Sequence, residues 1–141
     1  MRMNVAIRYY TKKGNTKKLA DAISSVVGVD ASSIQSPIKE KCDILFLCNS
    51  IYKFGIDPEV KNFLENLDSS KVTKVVNIST SASGNSTHNQ VKEILKFKGI
   101  ALHEPSFSCK GSFLFVNKNR PNQQDIKKCQ SFVESIIDES L

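Results

Sequence analysis

Several patterns that would mark other kinds of protein are missing from this sequence. No apolar run approaches the ~20 residues needed to cross a bilayer, and a charged residue interrupts the short apolar stretch at the N-terminus, where a secretory signal would lie. The four cysteines form no CxxC pair, and the two histidines are far apart in sequence. We therefore expect a cytoplasmic protein with no membrane association, metal site or catalytic triad, whose cysteines are reduced and structural rather than redox-active.

Composition favours one soluble globular domain over residues 1–141, with 40% hydrophobic and 24% charged residues. The net charge of +6 would suit an acidic partner or a nucleic acid. However, the lysines are spread over the whole chain, and neither RNA-binding aromatic motifs nor zinc-finger spacings accompany them. We interpret the charge as scattered basic surface and expect no nucleic-acid partner.

Strand-like and helix-like segments alternate along the chain. The run "CDILFLCNS" is almost continuously apolar, which is typical of a strand buried on both faces of a parallel sheet. Right-handed crossovers then predict an α/β, doubly wound sandwich: a five-stranded parallel sheet with helices on both faces. The predicted strands are 3–10, 29–34, 42–50, 71–80 and 100–116, the last interrupted near Pro105, and the predicted helices are 14–26, 57–68, 88–99 and a final helix beginning near Pro121.

Three polar loops are predicted to meet at one edge of this sheet. They span residues 11–16, 49–57 and 80–87, and each joins a buried strand to the following helix. In open parallel sheets, ligands bind beyond the carboxyl ends of the strands, where the strand order reverses. The sequence therefore predicts a ligand site between these three loops.

The first of the loops, "TKKGNT", has the composition of an anion site. Gly14 can adopt a backbone conformation closed to other residues, and the N–H groups of residues 12–16 can turn inward at the start of a helix. The loop has neither the Walker A spacing nor the GxGxxG pattern. Two interpretations remain open from these residues: a phosphate-binding turn, or an N-cap followed by a solvated, lysine-rich helix face.

The stretch "RYYTKKGNT" resembles the phosphate loop of the flavodoxins, in which hydroxyl residues precede Gly-Asn-Thr. Further along, "DILFLCNSIYKFGIDPEVKNFLENL" and "VVNISTSASGNS" resemble the two flavin-contacting regions of that family, and "FSCKGSFLF…NRPNQQDI" resembles its fifth strand and last helix start. The resemblance implies the flavodoxin fold, FMN as cofactor and a role as an electron carrier between redox partner proteins. Such a carrier needs no catalytic acid, base or nucleophile of its own.

The resemblance also assigns roles to individual positions. Residues holding the FMN phosphate would be Thr11, Gly14, Asn15 and Thr16, with backbone N–H groups from Lys12 and Lys13. Residues along one side of the isoalloxazine ring would be Ser50, Ile51, Tyr52 and Lys53, and those along the other would be Thr80, Ser81 and Ala82. Tyr52 is the aromatic residue best placed to stack on the ring, and Phe54 is a second candidate.

Some positions depart from the family pattern. Lys13 replaces the hydroxyl residue expected before Gly14, and Cys48 and Asn49 stand where many relatives have glycines. The typical flavodoxin surrounds its ring with acidic side chains, which disfavour the anionic, fully reduced flavin. Here Lys12, Lys13 and Lys53 would attract it, so we expect the fully reduced state to form more easily.

Two other functions remain open. A flavin-dependent NAD(P)H:quinone or small-acceptor reductase could use the same fold, although the short chain lacks an insertion to build a substrate site. A flavin-free module that binds another phosphate or anion would also fit the basic turn. A receiver-type signalling domain is excluded, because Tyr9, Tyr10 and Thr11 follow the first strand in place of clustered acidic residues.

Overall fold

Strands and helices alternate in a computed structural model that describes residues 3–52, 55–113 and 116–140. The strands are β1 (Val5–Tyr9), β2 (Ala31–Ser33), β3 (Cys42–Tyr52), β4 (Gly55–Ile56), β5 (Val72–Ser81), β6 (Ala101–Leu102) and β7 (Phe107–Lys110). The helices are α1 (Asn15–Val27), α2 (Pro58–Glu65), α3 (His88–Leu95) and α4 (Gln123–Ser140). No helix in these described ranges is both long and apolar enough to span a bilayer.

The predicted five-stranded parallel sheet is confirmed. Its order is β2-β1-β3-β5, and β6 and β7 share the fifth position, each parallel to β5. The fifth strand is thus split into two short pieces around Pro105, as the sequence predicts. β4 is a two-residue antiparallel addition to the end of β3. The strand order reverses between β1 and β3, which places the expected ligand edge at their carboxyl ends.

Both faces of the sheet carry a hydrophobic core, as the predicted sandwich requires. Ile44, Phe46 and Cys48 of β3 pack in a cluster with residues of α1 and α4, whereas Leu45 and Leu47 pack in a second cluster with residues of α2 and α3. This alternation follows from the two-residue period of a strand. It explains why the β3 segment is apolar without interruption, since neither of its faces meets water.

The four cysteines are free and buried in this core. Burial raises the pKa of the Cys109 thiol to about 11 and that of the Cys129 thiol to about 12. A thiol that holds its proton so firmly is a poor nucleophile and a poor metal ligand. The cysteines therefore act as small apolar residues, in agreement with the sequence interpretation.

Candidate functional site

A cavity of about 400 Å³ lies at the carboxyl ends of β1, β3, β5 and β7. Its volume falls within the ~300–1,000 Å³ typical of small-molecule sites. The walls come from the three predicted loops and from a fourth loop after β7. The lining residues are Thr11, Lys12, Lys13, Asn15, Thr16, Ser50, Ile51, Thr80, Ser81, Ala82, Ser83, Gly111, Ser112 and Phe113.

Most of the predicted site residues therefore meet around one cavity. Gly14 is not part of the lining, although its neighbours on both sides are. The side chain of Tyr52, and the whole of Lys53 and Phe54, lie outside the described residues. The predicted stacking of an aromatic ring at Tyr52 or Phe54 therefore stays a prediction.

The polar turn before α1 is shaped by Gly14. Its φ of +88° lies in the left-handed region, as predicted, and a Cβ atom there would meet nothing within 4 Å. The glycine is thus needed for its conformation rather than for space. The Gly14 N–H donates to Thr11 Oγ1 at 2.8 Å, which closes the turn from inside. That N–H group therefore does not point into the cavity as we expected from the sequence.

The start of α1 is suited to an anion. Its N-cap, Gly14, has no side chain, so no side-chain hydrogen bond caps the first turn, and no acidic residue lies there. The N–H groups of a helix start carry a partial positive charge, and a bound anion satisfies them in place of a cap. Next to this turn, the hydroxyl oxygens of Thr16 and Thr80 lie 3.4 Å apart, both residues almost completely buried. They join the turn to the end of β5.

The lysines of the turn are held by specific neighbours. Lys12 Nζ lies 3.2 Å from Asp57 Oδ2, and Lys13 Nζ lies 5.0 Å above the centre of the Phe113 ring. Asp57 is also the N-cap of α2, where its Oδ1 accepts the Glu59 N–H at 2.9 Å. Asp57 and Pro58 thus begin the helix as predicted. The negative charge of Asp57 partly offsets the positive charge of Lys12, whereas Lys13 faces an aromatic ring.

A fourth wall, which the sequence analysis did not identify as part of the site, is formed by residues 111–113. Asn15 Nδ2 donates to the Ser112 carbonyl at 2.8 Å, and Ser112 Oγ donates to Asn15 Oδ1 at 2.9 Å. A Cβ atom on Gly111 would lie 3.2 Å from both Asn15 Nδ2 and Thr80 Cβ, so only glycine fits there without a shift of its neighbours. The signal in the sequence was this single glycine inside the predicted strand 100–116, which in the structure ends at Lys110.

Residues 117–122, which come later in the same connection, are fixed at both ends. Asn117 Nδ2 donates to the Ala82 carbonyl at 2.8 Å, which connects it to the loop after β5. Arg120 Nη2 donates to Asp125 Oδ1 at 2.7 Å, and this hydrogen bond lowers the pKa of Asp125 and raises that of Arg120. Asn122 and Asp125 each accept the backbone N–H of the other, which is a capping box at the start of α4.

Three buried polar residues close a ring of hydrogen bonds behind the cavity. Asn49 Nδ2 donates to Asn77 Oδ1 at 2.7 Å, Asn77 Nδ2 donates to Thr87 Oγ1 at 2.9 Å, and the Thr87 hydroxyl donates to Asn49 Oδ1 at 2.6 Å. The ring joins β3, β5 and the start of α3. Cys48 and Asn49 lie inside β3, as the predicted strand 42–50 requires. β3 continues to Tyr52, so the loop predicted for residues 49–57 begins later than expected.

The residues present fit a phosphorylated ligand with a flat ring. One end of the cavity offers hydroxyl groups, a helix start and two lysines, which is the chemistry of a phosphate site. The remainder includes Ile51, Ala82 and Phe113, whose side chains offer apolar surface to a ring. Among the lining residues that the structure describes, none carries a carboxylate.

Comparisons with known proteins agree with this architecture. A family model described as a flavodoxin domain matches residues 6–104. An uncharacterized protein from Methanocaldococcus jannaschii is 30% identical over 138 residues, covering 87% of this chain and 90% of that protein.

Two solved structures have a similar fold. One is a flavodoxin described as coming from the domain Archaea, with a TM-score of 0.78 and 16% identity over 97% of this chain and 98% of that one. The other is oxidised flavodoxin 2 from Bacillus cereus, with a TM-score of 0.71 and 18% identity over 96% of this chain and 99% of that one. Identity this low shows the shared fold alone, but the family model covers well over half of the chain. The chain therefore belongs to the flavodoxin family.

Proposed function

We propose that this protein binds FMN in the cavity at the carboxyl ends of its strands and carries electrons between redox partner proteins. The observation that carries the proposal is the arrangement of the cavity: an anion-binding turn at one end, continuous with a slot that has apolar walls. A ligand with a phosphate on a flexible chain and a flat ring matches both parts. Family membership supports a flavin over other phosphorylated ligands.

Within this proposal, the first turn of α1 and the hydroxyl groups of Thr11 and Thr16 hold the phosphate. Asn15 bonds Ser112 through both polar atoms of its side chain, so within this proposal it contacts the phosphate through its backbone N–H. Its side chain holds the fourth wall against the phosphate turn. Ser50 and Ile51 border one side of the ring, and Thr80, Ser81 and Ala82 border the other.

The chain needs no proton-transfer group of its own for this role. Bound FMN supplies the electron-accepting chemistry, and the protein orients the ring, shields it from water and sets its potential. Lys13 contributes positive charge beside the cavity, whereas the contribution of Lys12 is reduced by Asp57 at 3.2 Å. A net positive charge nearby lowers the free energy of the anionic, fully reduced flavin. We therefore still expect full reduction to be easier than in acidic flavodoxins.

The test is a titration of the purified protein with FMN and, in parallel, with riboflavin, followed by quenching of flavin fluorescence. Because riboflavin lacks the phosphate, we expect it to bind at least about tenfold more weakly, which corresponds to about 1.4 kcal/mol of binding free energy. Inorganic phosphate should compete with FMN. Equal affinity for the two flavins would contradict the phosphate site, and no binding of either would refute the cofactor assignment.

The same preparation separates an electron carrier from a flavin-dependent reductase. A carrier loaded with FMN should not oxidise NADH or NADPH unless a separate reductase is added. Absorbance at the nicotinamide band measures this directly, with free FMN at the same concentration as the control. Rapid oxidation by the protein alone, with a quinone as acceptor, would favour the reductase function instead.

A further inference from the structure

The loops around the cavity carry an excess of positive charge. The described residues of the loops at this edge, 10–14, 55–57, 82–87, 111–113 and 116–122, contain four basic residues and one acidic residue, Asp57. The loops at the opposite edge, residues 28–30, 34–41, 66–71 and 96–100, contain five basic and three acidic residues. We use the name basic rim for four described cations on or next to the cavity edge, which are Lys12, Lys13, Lys110 and Arg120.

Two cations of the basic rim are offset by carboxylates. Lys12 pairs with Asp57, and Arg120 pairs with Asp125. Lys13 and Lys110 are exposed. Lys13 lies over the Phe113 ring, and the side chain of Lys110 runs beside Gly84 in the loop after β5. These two lysines therefore lie next to two adjoining walls of the cavity and give its edge a positive field.

Apolar surface lies beside these cations. Phe113 is 45% exposed and Val116 is 51% exposed, and their backbones pair through two hydrogen bonds of 2.9 and 2.8 Å. Within the described part of the chain, Phe97 is the other large apolar side chain that is exposed, and it follows α3 at the opposite edge. An apolar centre bordered by charged groups is the usual composition of a protein–protein interface.

We propose that the basic rim and the pair of Phe113 and Val116 dock a small, acidic electron-transfer protein. This proposal rests on the proposed function, and it names the class of partner that the function requires. Charge complementarity is the argument for the acidic partner, because opposite charges guide the encounter and align the two surfaces. The exposed apolar pair favours a protein over a nucleic acid, since these side chains need an apolar surface to cover them. The position of the patch at the cavity edge brings the partner close to the bound ring.

Binding, rather than electron transfer, is the primary measurement. The probes are an acidic rubredoxin and the basic protein cytochrome c, both small proteins with one redox centre. Affinities are measured by isothermal titration with and without saturating FMN, at about 20 mM and about 500 mM NaCl, where charges are weakly and strongly screened. We expect rubredoxin to bind at least about tenfold more tightly than cytochrome c at low salt, and this preference to disappear at high salt.

Paired charge reversals locate the surface. The variant Lys13→Glu/Lys110→Glu alters the basic rim, and the control Lys39→Glu/Lys41→Glu makes the same change of net charge in the loop before β3, at the opposite edge. We expect the first to weaken rubredoxin binding about tenfold or more and the second to change it less than about twofold. Equal effects of the two variants, or tighter binding of cytochrome c, would overturn the proposal.

Two further results would separate the docking proposal from a nucleic-acid site and from the cofactor assignment. If the wild-type protein bound a 20-nucleotide single-stranded DNA more tightly than rubredoxin at about 150 mM NaCl, the rim would be a nucleic-acid site and the proposal would be wrong. If rubredoxin bound as expected in the absence of FMN, while FMN itself failed to bind, the docking surface would stand and the cofactor assignment would fail.

Electron transfer is the second measurement. In the protein loaded with FMN that dithionite has reduced, one electron should pass from the flavin to rubredoxin and convert Fe(III) to Fe(II). The rate of this transfer should depend on salt and on the rim variant in the same way as binding does.

Discussion

The ammonium group of Lys12 lies 3.2 Å from a carboxylate oxygen of Asp57, so that the turn after β1 is tied to the first turn of α2. The Asp57 side chain is only 7% exposed, while that of Lys12 is 42% exposed. One carboxylate therefore has two tasks: Oδ1 caps α2, and Oδ2 holds a lysine at the edge of the cavity.

Two substitutions at Asp57 separate these tasks. Asp57→Asn keeps an acceptor for the Glu59 N–H but loses the ion pair, and we expect it to cost less than about 1 kcal/mol because Lys12 is well solvated. Asp57→Ala loses the cap as well and should cost about 1 kcal/mol more. Urea unfolding followed by circular dichroism measures both. If Asp57→Asn lowered the free energy of unfolding as much as Asp57→Ala, the cap would contribute little and the ion pair would account for most of the loss.

Gly14 and Gly28 form a matched pair for testing the phosphate turn. Both have a positive φ, +88° and +75°, and a Cβ atom on either would meet nothing within 4 Å. Gly14→Ala and Gly28→Ala should therefore destabilise the fold to a similar extent, about 1–2 kcal/mol, through backbone strain alone. Gly28 follows α1 at the opposite edge of the sheet, so only Gly14→Ala should weaken FMN binding, by about tenfold. Similar FMN affinities for the two variants would argue against the turn as the phosphate site.

Lys13 provides a test of the charge near the ring. We expect Lys13→Gln to shift the potential for full reduction of bound FMN to a more negative value, on the order of 20 mV, because a nearby positive charge is lost. Lys39→Gln, which removes a charge at the opposite edge, should leave the potential unchanged. A dye-calibrated redox titration in low salt measures both. A more positive potential in Lys13→Gln would contradict the electrostatic argument.

The buried thiols predict how stability depends on pH. Burial raises the pKa of Cys129 from an ordinary 9.0 to about 12, so the folded protein keeps this proton at a pH where the unfolded chain has lost it. The stabilisation is complete below pH 9 and is lost as the pH rises towards 12. Between pH 8 and about 10.5, wild type should lose about 1–2 kcal/mol more stability than Cys129→Ala, measured by urea unfolding under reducing conditions. Equal losses would show that the thiol does not titrate differently in the two states.

The layered fold could be predicted because each of its signals is local. The unbroken apolar run of β3 identifies a strand with two buried faces, and Asp57 followed by Pro58 marks a helix start. The need for a glycine with an unusual backbone conformation at position 14 could be predicted for the same reason. Each inference required only neighbouring residues and the period of a strand or helix.

The parts that were missed depend on contacts between distant positions. Asn15 and Ser112 are 97 residues apart in sequence, and nothing near either residue indicates that they bond each other. The sequence assigns Asn49 and Ser50 both to the end of the strand 42–50 and to the start of the loop 49–57. The structure decides for the strand: both residues continue β3 beside β5, and Asn49 forms hydrogen bonds with Asn77 and Thr87.

The closed ring formed by Asn49, Asn77 and Thr87 also constrains how the sequence can diverge. Each of the three residues donates one of these hydrogen bonds and accepts another. Replacing any one by an apolar residue therefore leaves a donor on one of the other two and an acceptor on the other without a partner, and all three residues are fully buried. Single replacements should therefore be selected against, while joint replacement by well-packed apolar residues is tolerated. In an alignment of close relatives, these three positions should change together, and independent drift at any one of them would show that the ring is dispensable.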